Sequence, residues 1–381
     1  MKEALFGKTL TELEHVASKL GLKPYTARQI AGWLYARRAA DIDQMTNLSK
    51  DARARLADQY DVGVAPPPKV SESADGTKKY LFATEAAVPE SSVPRPAGAA
   101  PHAPQSHRPS PFPLHLVEAA YIPESERATL CLSTQVGCKM GCLFCMTGKQ
   151  GFQGNLTAGE ILNQYRSLPE TEEVTNIVYM GMGEPFDNPD EVMKSLEILT
   201  SPWGFGMSAK RVTVSTIGII PVMKRFLDET ACHLAVSLHS PFDEERRRLM
   251  PVQNVYPVGE VIDALRSFDL PRQRRVSFEY IVFAGVNHSP RHVKELARLL
   301  QEIRCRINLI HFHPIPGTPL SGASDEQMEA FQAALKAKGI PTTIRKSRGQ
   351  DIQAACGLLS TRELVRQAAA AAGEAAPAED Y

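Results

Sequence analysis

From Leu114 onward, short apolar runs typical of strands alternate with amphipathic patterns typical of helices. We predict strands at 176–181, 211–216, 233–239, 276–283, 306–312 and 341–346. We predict helices at 158–168, 190–200, 221–229, 258–268, 290–303 and 325–338. Thr157-x-x-Glu160 and Ser324-x-x-Gln327 have the pattern of capping boxes at two of these helix starts. Strands joined by helices run parallel, because each helix returns the chain to the start of the next strand. The pattern therefore predicts an α/β fold with an incomplete (βα)6 barrel, and a doubly wound sheet is the alternative.

Residues 1–64 predict a small helical domain ahead of that core. A first helix is expected from Leu10, with its apolar residues on one face, and Gly21 can end it. A second helix is expected at 26–39, and Ser49 can cap a third. A basic surface without acids is formed in this domain by Lys23, Arg28, Arg37 and Arg38.

Residues 65–113 predict a linker between the two parts. It begins with three consecutive prolines and includes a strand at 79–84. The following stretch, 89–113, holds eight prolines in 25 positions and almost no large apolar side chains. Such a segment cannot bury enough surface to offset the entropy of ordering, so we predict a flexible insertion.

The core is predicted to span 114–366, and the Ala-rich tail 367–381 is expected to fray. Two apolar runs at 114–122 and 127–133 predict a hairpin at its start.

The composition narrows the function classes. The 381 residues contain 43 Lys plus Arg and 43 Asp plus Glu, so net charge gives no sign of a nucleic-acid partner. No apolar run approaches the ~18 residues that a membrane helix needs, and the N-terminus lacks the apolar region of a secretory signal. Seven cysteines are an odd number in a long chain that is not predicted to be secreted. Metal binding or catalysis therefore explains them better than a disulfide scaffold.

Three cysteines, Cys138, Cys142 and Cys145, lie within eight residues directly after a predicted strand. A loop with this spacing can fold around one soft metal centre. A structural zinc site would need a fourth ligand, and the next cysteine is Cys232. Three thiolates on a four-iron cluster leave one iron open for a substrate. The zinc loop remains the alternative at this point.

The C-x3-C-x2-C spacing after the first barrel strand resembles the radical S-adenosylmethionine (SAM) superfamily. Further motifs resemble the adenine-C2 RNA methyltransferases within it, namely CLSTQVGCKMGCLFCMTGKQGFQGNLTAGEILNQ at 131–164, MGMGEPFDN at 180–188, Ser237-Leu238-His239 and DIQAACG at 351–357. The resemblance implies a radical SAM barrel, a 4Fe–4S cluster held by the three cysteines, and SAM bound to the open iron.

The resemblance also implies a mechanism with two SAM molecules per turnover. The first methylates a cysteine, and the second supplies a 5′-deoxyadenosyl radical that activates that methyl group for addition to adenine C2. Cys356 matches the cysteine that carries the methyl group, and the basic residues that precede it favour a thiolate. Cys131 matches the cysteine that resolves the protein–RNA adduct and is left in a disulfide that must be reduced. Glu118 matches the proton acceptor of the family, and whether it or Cys131 is the base stays open. The alternative for Glu118 is an exposed carboxylate at the end of a strand, without a role in the reaction.

Residues that match SAM contacts of the family lie at the ends of predicted strands. They are Gly183, Glu184, Ser215, Ser237, Leu238, His239 and His313. A carboxylate such as Glu184 can hold the ammonium group of SAM, and glycine permits close backbone approach. His313 stands where the family usually has Asn, and a neutral imidazole cannot both donate and accept as freely as an amide. Cys232 and Cys305 match no functional position and are predicted to be core residues.

The resemblance implies 23S rRNA and possibly tRNA as substrates, together with a flavodoxin-like or similar electron donor and a thiol reductant. A cytoplasmic location is expected because the cluster and the catalytic thiols need a reducing compartment. We also expect a monomer and no membrane partner. It makes the N-terminal domain an RNA-binding accessory domain. Candidate phosphate contacts are the basic clusters Arg37–Arg38, Arg246–Arg248, Arg272–Arg275 and Arg345–Arg348, although the acids before Arg246 favour local pairing there. Two alternatives stay open: an adenine-C8 methyltransferase and a non-catalytic RNA-binding protein with a structural metal loop.

Overall fold

The computed structural model describes residues 2–67, 69–84, 115–268, 274–352, 357–361 and 363. The predicted insertion at 89–113 and the predicted tail at 367–381 lie outside these residues, as do Cys356 and Arg272.

The described residues form strands and helices that are numbered here in chain order. The strands are β1 Glu3–Ala4, β2 Tyr60–Asp61, β3 Lys69–Glu72, β4 Lys78–Thr84, β5 His115–Pro123, β6 Ala128–Cys131, β7 Gln135–Val136, β8 Gly154–Asn155, β9 Asn176–Tyr179, β10 Val212–Thr216, β11 His233–Ser237, β12 Val276–Val282, β13 Cys305–His311 and β14 Thr342–Arg345. The α-helices are α1 Leu10–Lys19, α2 Thr26–Ala31, α3 Lys50–Gln59, α4 Met146–Gln150, α5 Ala158–Arg166, α6 Pro189–Thr200, α7 Ile220–Glu229, α8 Asp243–Leu249, α9 Val258–Arg266, α10 Pro290–Leu299 and α11 Asp325–Ala337.

The central sheet confirms the predicted parallel architecture. Its strand order is β14-β13-β12-β11-β10-β9-β6-β5-β4-β3. Strands β6, β9, β10, β11, β12, β13 and β14 pair parallel in this order, and β3, β4, β5 and β6 pair antiparallel. Strands β7 and β8 form a separate antiparallel pair. A doubly wound sheet reverses its strand order at a switch point, and this order does not reverse, so that alternative is wrong. We call the ends of the parallel strands the carboxyl edge and their beginnings the amino edge.

The sheet curls so that its two outer strands approach each other. The chain after β14 crosses this gap and contacts the turn between β3 and β4. The Asp75 carboxylate accepts a hydrogen bond from the Gly349 amide at 3.0 Å and lies 3.9 Å from the Arg348 guanidinium. Asp351 in turn accepts from the Ser73 hydroxyl and the Ala74 amide. The barrel is therefore closed by side-chain and loop contacts at this seam, while β14 and β3 remain the outer strands of the sheet.

The N-terminal domain is helical, as predicted, with two differences. Strands β1 and β2 form a small parallel pair. The expected second helix is α-helical only to Ala31 and continues as a π-helix over Gly32–Ala36. Within this π-helix Tyr35 is fully buried among aromatic rings, and Trp33 stacks under the Arg37 guanidinium at 4.5 Å. The predicted end of α1 is correct, since Gly21 adopts φ +63° directly after it.

Two short helices were not predicted from sequence, α4 and α8. Helix α8 has the sequence DEERRRL, which contains a single apolar residue and therefore no helical periodicity from which the helix could be predicted. The capping boxes expected at Thr157 and Ser324 are both present at the starts of α5 and α11. No helix in the described ranges is long and apolar enough to span a membrane.

Candidate active site

The three clustered cysteines lie in the loop between β7 and α4, at the carboxyl edge. Cys138 is buried, and Cys142 and Cys145 are half-buried. Burial raises the pKa of the Cys138 and Cys142 thiols, and the neighbouring Cys145 thiol raises it further. Among the described residues, no three His, Cys, Asp or Glu side chains are already gathered tightly enough to hold one metal ion. The donor set of three thiols matches the chemistry of a four-iron cluster with one open iron.

A buried ion pair ties this loop to the motif that follows β9. The Lys139 ammonium, directly after Cys138, lies 2.6 Å from the Asp187 carboxylate. The Gln135 side-chain amide donates to the same carboxylate at 2.9 Å and accepts from the Glu184 amide at 2.9 Å. These contacts fix the cysteine loop on the MGMGEPFDN segment. Lys139 and Asp187 belong to motifs recognised in the sequence, but nothing in the sequence indicates their pairing.

The glycines of the same motif allow the chain to pass very close to the residues after β6. Gly183 has φ +96°, and a Cβ there would lie 2.5 Å from the Cβ of Gln135. A Cβ on Gly181 would lie 2.6 Å from the carbonyl oxygen of Leu132. Larger residues would push the two loops apart, so this part of the candidate SAM site requires glycine.

Glu184 is buried, and its carboxylate points into the protein. It accepts hydrogen bonds from the Thr216 hydroxyl at 2.6 Å, the Ile217 amide at 3.0 Å and the Phe186 amide at 3.1 Å. Burial raises the pKa of this carboxyl to about 7. The side chain therefore links the loops after β9 and β10, and both of its oxygens already accept from protein groups.

The Ser237-Leu238-His239 run follows β11 at the carboxyl edge. Leu238 is fully buried in the core, so its contribution to a ligand would come from its backbone. His239 adopts φ +56°, and its Nδ1 accepts from the Ile281 amide at 3.0 Å. Burial lowers the pKa of this imidazole to about 3, so it is neutral with its proton on Nε2. Its ring packs edge-on against Phe144 of the cysteine loop, with centroids 4.7 Å apart.

A buried guanidinium, that of Arg246 in α8, supports the backbone of the same run. It donates to the carbonyl oxygens of Ile217 at 2.9 Å, Ser237 at 3.2 Å and Leu238 at 3.3 Å. Burial lowers the pKa of Arg246 to about 10. The expectation of local pairing holds for the exposed Arg247 and Arg248, which pair with Glu244. For Arg246 it is wrong, because this side chain turns inward to the carbonyl groups.

The remaining SAM candidates are half-buried at the same edge. Ser215 is the penultimate residue of β10, and His313 follows β13. His313 lines a cleft of about 690 Å³ inside the sheet, together with His311. Burial and the neighbouring His311 lower the pKa of His313, so its neutral form is favoured.

Cys131 and Glu118 face the same interior. Cys131 pairs in register with Ala120 on one side and Val178 on the other, and both of these residues line the cleft. Glu118 lies two residues before Ala120 on β5, so it shares that face of the strand. It is only 3% exposed, so the alternative of an exposed strand-end carboxylate is wrong.

The Glu118 carboxylate has partners from two other segments. Its Oε2 lies 2.8 Å from the Lys79 ammonium of β4. The same oxygen accepts from the Gly357 amide at 3.1 Å, and Oε1 accepts from the Ser360 amide at 2.7 Å. Cys356 itself lies outside the described residues, but the residue that follows it along the chain is bound to Glu118. Sequence reasoning missed Lys79, which lies in a part of the chain predicted only as a linker strand.

Basic side chains line the cleft at the amino edge. Arg127 and Arg275 immediately precede β6 and β12, Lys210 lies just before β10, and Arg306 is the second residue of β13. Arg127 pairs with Glu124, whereas Lys210, Arg275 and Arg306 form no ion pair with another described residue.

Other predicted basic contacts are used within the protein. Arg274 is buried and donates to the carbonyls that end α7. Arg38 pairs with Glu172 at 2.7 Å, and Arg345 lies 3.4 Å from Glu279. Cys232 is a buried core residue as predicted, and Cys305 is half-buried against the core.

Comparisons with known proteins match both parts of the chain. Residues 132–300 match the model of the radical SAM superfamily. Residues 4–62 match the model of the ribosomal RNA large subunit methyltransferase N-terminal domain.

Similar proteins cover nearly the whole chain. A probable dual-specificity RNA methyltransferase RlmN of Parabacteroides distasonis is 52% identical over 96% of this chain and 98% of its own. The dual-specificity RNA methyltransferase RlmN of Syntrophus aciditrophicus is 40% identical over 93% of this chain and 96% of its own. A crystal structure of a radical SAM methyltransferase from Sphaerobacter thermophilus superimposes with a TM-score of 0.80 at 39% identity, over 93% of this chain and 98% of that one.

Proposed function

Because the chain belongs to the RlmN family of radical SAM RNA methyltransferases, we propose that it methylates C2 of adenine in 23S rRNA and in tRNA through an S-methylcysteine at Cys356. Family membership confirms the predicted radical SAM fold and the predicted cofactors, a 4Fe–4S cluster and SAM. The target carbon C2, the route through a methylated cysteine and the two RNA substrates are our proposal.

The carboxyl edge fits the two cofactors. Cys138, Cys142 and Cys145 would hold the cluster. The Gly183–Glu184 backbone, Ser215, the Ser237–His239 run and His313 would surround SAM. When bound, the cluster and SAM together supply a 5′-deoxyadenosyl radical, which the chain's own side chains cannot generate.

A radical route suits the target carbon. Adenine C2 is electron-poor and does not attack a sulfonium methyl group as an amine or thiolate does. A methyl group first placed on a cysteine sulfur can instead be activated by loss of a hydrogen atom and then added to C2. Two cysteines are needed, one to carry the methyl group and one to release the product from the protein.

One observation carries the proposal: Glu118, which shares the barrel interior with Cys131, binds the residue that directly follows Cys356 in the chain. Cys131 and Glu118 face the same side of adjacent strands. The amide directly after Cys356 is hydrogen-bonded to Glu118. We assign Cys356 to the methyl group, Cys131 to resolution, and the removal of the C2 proton to Glu118 or Cys131, each of which is within the same interior.

The amino edge is suited to the RNA backbone. Three cations there form no ion pair with a described carboxylate: Lys210, Arg275 and Arg306. They lie at the entrance of the cleft, whose lining extends to the residues paired with Cys131. Phosphate contacts position a nucleic acid, and a target base must leave its stack to reach a buried site. The basic entrance therefore supports RNA bound outside the barrel with one adenine inserted.

The test is nucleoside mass spectrometry after anaerobic reaction of the iron-loaded protein with SAM, a reductant and either 23S rRNA fragments or unmodified tRNA. We expect 2-methyladenosine from both RNAs, and none with the Cys356→Ala variant. The alternative C8 activity would give 8-methyladenosine. A non-catalytic RNA-binding protein would hold zinc instead of iron and sulfide and would leave SAM intact. Full methylation by Cys356→Ala would contradict the cysteine route.

A further inference from the structure

We propose that Lys79 and Gln150 are positioning residues that fix residues 357–361, here called the anchor segment, against the cysteine loop. The anchor segment directly follows Cys356, so the consequence for methyl transfer rests on the function proposed above. The anchoring itself is a structural statement that can be tested separately.

The first attachment is the buried ion pair of Lys79 and Glu118. Lys79 is 1% exposed and Glu118 is 3% exposed, so both charges are removed from water. The Glu118 carboxylate accepts hydrogen bonds from the backbone amides of Gly357 at 3.1 Å and Ser360 at 2.7 Å. These are two backbone donors at the start of a helical turn, where no helical carbonyl is available to them. Lys79 compensates the buried charge and so keeps Glu118 in its acceptor role.

The second attachment comes from α4, the short helix that begins directly after Cys145. The side-chain amide of Gln150, at the end of this helix, lies 2.9 Å from the Gly357 carbonyl oxygen, 2.6 Å from the Thr361 hydroxyl and 3.1 Å from the Ser360 hydroxyl. The helix that starts at the third cluster cysteine therefore ends on the anchor segment. The Gly357 N–H donates to the Glu118 carboxylate, and the Gly357 carbonyl oxygen accepts from the Gln150 amide.

Close packing completes the attachment. Gly357 has φ +87°, and a Cβ there would lie 3.0 Å from the Thr147 backbone nitrogen of α4. Leu359 packs against Leu81 of β4 and Leu116 of β5. The anchor segment is thus pressed between the cysteine loop and the antiparallel strands, and its position relative to the cluster cysteines is set by these contacts.

The chain offers matched controls for both residues. Lys79→Met removes the ammonium that faces Glu118. Lys78→Met is its control, because Lys78 is the adjacent residue of the same strand and pairs with Glu170 at 2.9 Å, away from the anchor segment. Gln150→Met removes the amide with little change in length. Gln332→Met is its control, because this amide donates to the Thr342 carbonyl at 3.0 Å on the far side of the sheet.

The first readout is amide hydrogen exchange of the holoenzyme, measured on peptides that contain 357–361. We expect exchange there to rise about tenfold in Lys79→Met and Gln150→Met and to stay at the wild-type rate in both controls. Unchanged exchange in the two variants would overturn the anchoring, whatever reaction the enzyme catalyses.

The second readout separates positioning from general stability. After incubation with SAM, we expect S-methylation of Cys356 to fall at least fivefold in the two variants, while the iron and sulfide content and the affinity for SAM stay within about twofold of wild type. Gln150→Asn, which restores an amide, is expected to recover part of the methylation. Faster exchange with wild-type S-methylation would contradict the positioning role. Absence of S-methylation in the wild type would contradict the proposed function and leave the exchange result intact.

Discussion

The two edges of the barrel sheet use charge in opposite ways. At the carboxyl edge, two cations beside the cysteine loop are buried and bound to protein partners: Lys139 to Asp187, and Arg246 to three carbonyl oxygens. At the amino edge Lys210 and Arg275 are exposed, and neither forms an ion pair with another described residue. The first arrangement fixes loops around a reacting centre, because buried partners leave few alternative conformations. The second leaves cations free to meet an external polyanion.

The difference predicts that the two edges can be disabled separately. Variants at the carboxyl edge should change chemistry or folding, and variants at the amino edge should change RNA affinity alone. The following predictions run from the largest expected effect to the smallest.

The largest effect is expected from Cys142→Ser. Loss of one cluster ligand should remove most of the iron and sulfide and lower 5′-deoxyadenosine formation at least a thousandfold. Metal analysis and product assay on anaerobically prepared protein provide the measurement. RNA affinity should remain within about twofold of wild type, and a large loss of RNA binding would break the separation between the edges.

Arg246→Met should unfold the protein more readily. The substitution leaves the buried carbonyls of Ile217, Ser237 and Leu238 without their donor, at a cost of about 3 kcal/mol or more in the free energy of unfolding. Chemical denaturation measures this cost. Arg247→Met is the matched control, because that side chain is exposed and pairs with Glu244, and its cost should stay within about 0.5 kcal/mol. Equal effects of the two variants would contradict a structural role for Arg246.

His239 should make stability depend on pH. Its folded pKa of about 3 lies below the value of 6.5 expected in the unfolded chain, so unfolding takes up a proton as the pH falls below 6.5. Between pH 6.5 and 5 the free energy of unfolding should fall by up to about 1.4 kcal/mol per pH unit from this group. His239→Asn keeps a residue that tolerates positive φ and removes the titration, so its slope should be smaller by that amount. Parallel slopes for the two proteins would refute the assignment.

The smallest effects are expected at the amino edge. Arg275→Gln and Arg306→Gln should each weaken RNA binding a few-fold, whatever the RNA sequence. Each should also reduce the slope of log affinity against log salt by about 0.7–0.9, as expected for one lost phosphate contact. Binding titrations at several salt concentrations measure both. SAM cleavage without RNA should be unchanged, and a loss of cleavage would place these residues in the chemistry rather than in RNA binding.

Local sequence signals predicted the elements well, because they depend on nearby residues. Strand and helix alternation gave the parallel sheet, and Thr157 and Ser324 gave two helix starts. The spacing of Cys138, Cys142 and Cys145 indicated a candidate cofactor loop. Two irregular parts were not predicted. Helix α8 lacks apolar periodicity, and residues 32–36 carry no sequence pattern that distinguishes a π-helix from an α-helix.

Contacts between segments that are far apart in the chain could not be predicted from the sequence. Glu118 was recognised, but its partner Lys79 is 39 positions earlier and the amides it binds are more than 230 positions later. The direction of the Glu184 carboxylate, toward Thr216 and Ile217, also depends on how two loops meet. Such pairings follow from sheet curvature and register, which residue patterns do not encode.

The most direct test of the central claim traces the methyl hydrogens. The enzyme would be incubated with SAM that carries a trideuterated methyl group, and the RNA nucleosides and 5′-deoxyadenosine would be analysed by mass spectrometry. Transfer through Cys356 predicts 2-methyladenosine with two deuteriums, because one is removed when the S-methyl group is activated, and 5′-deoxyadenosine that has gained one. A methyl group that keeps all three deuteriums would show direct transfer and contradict the account.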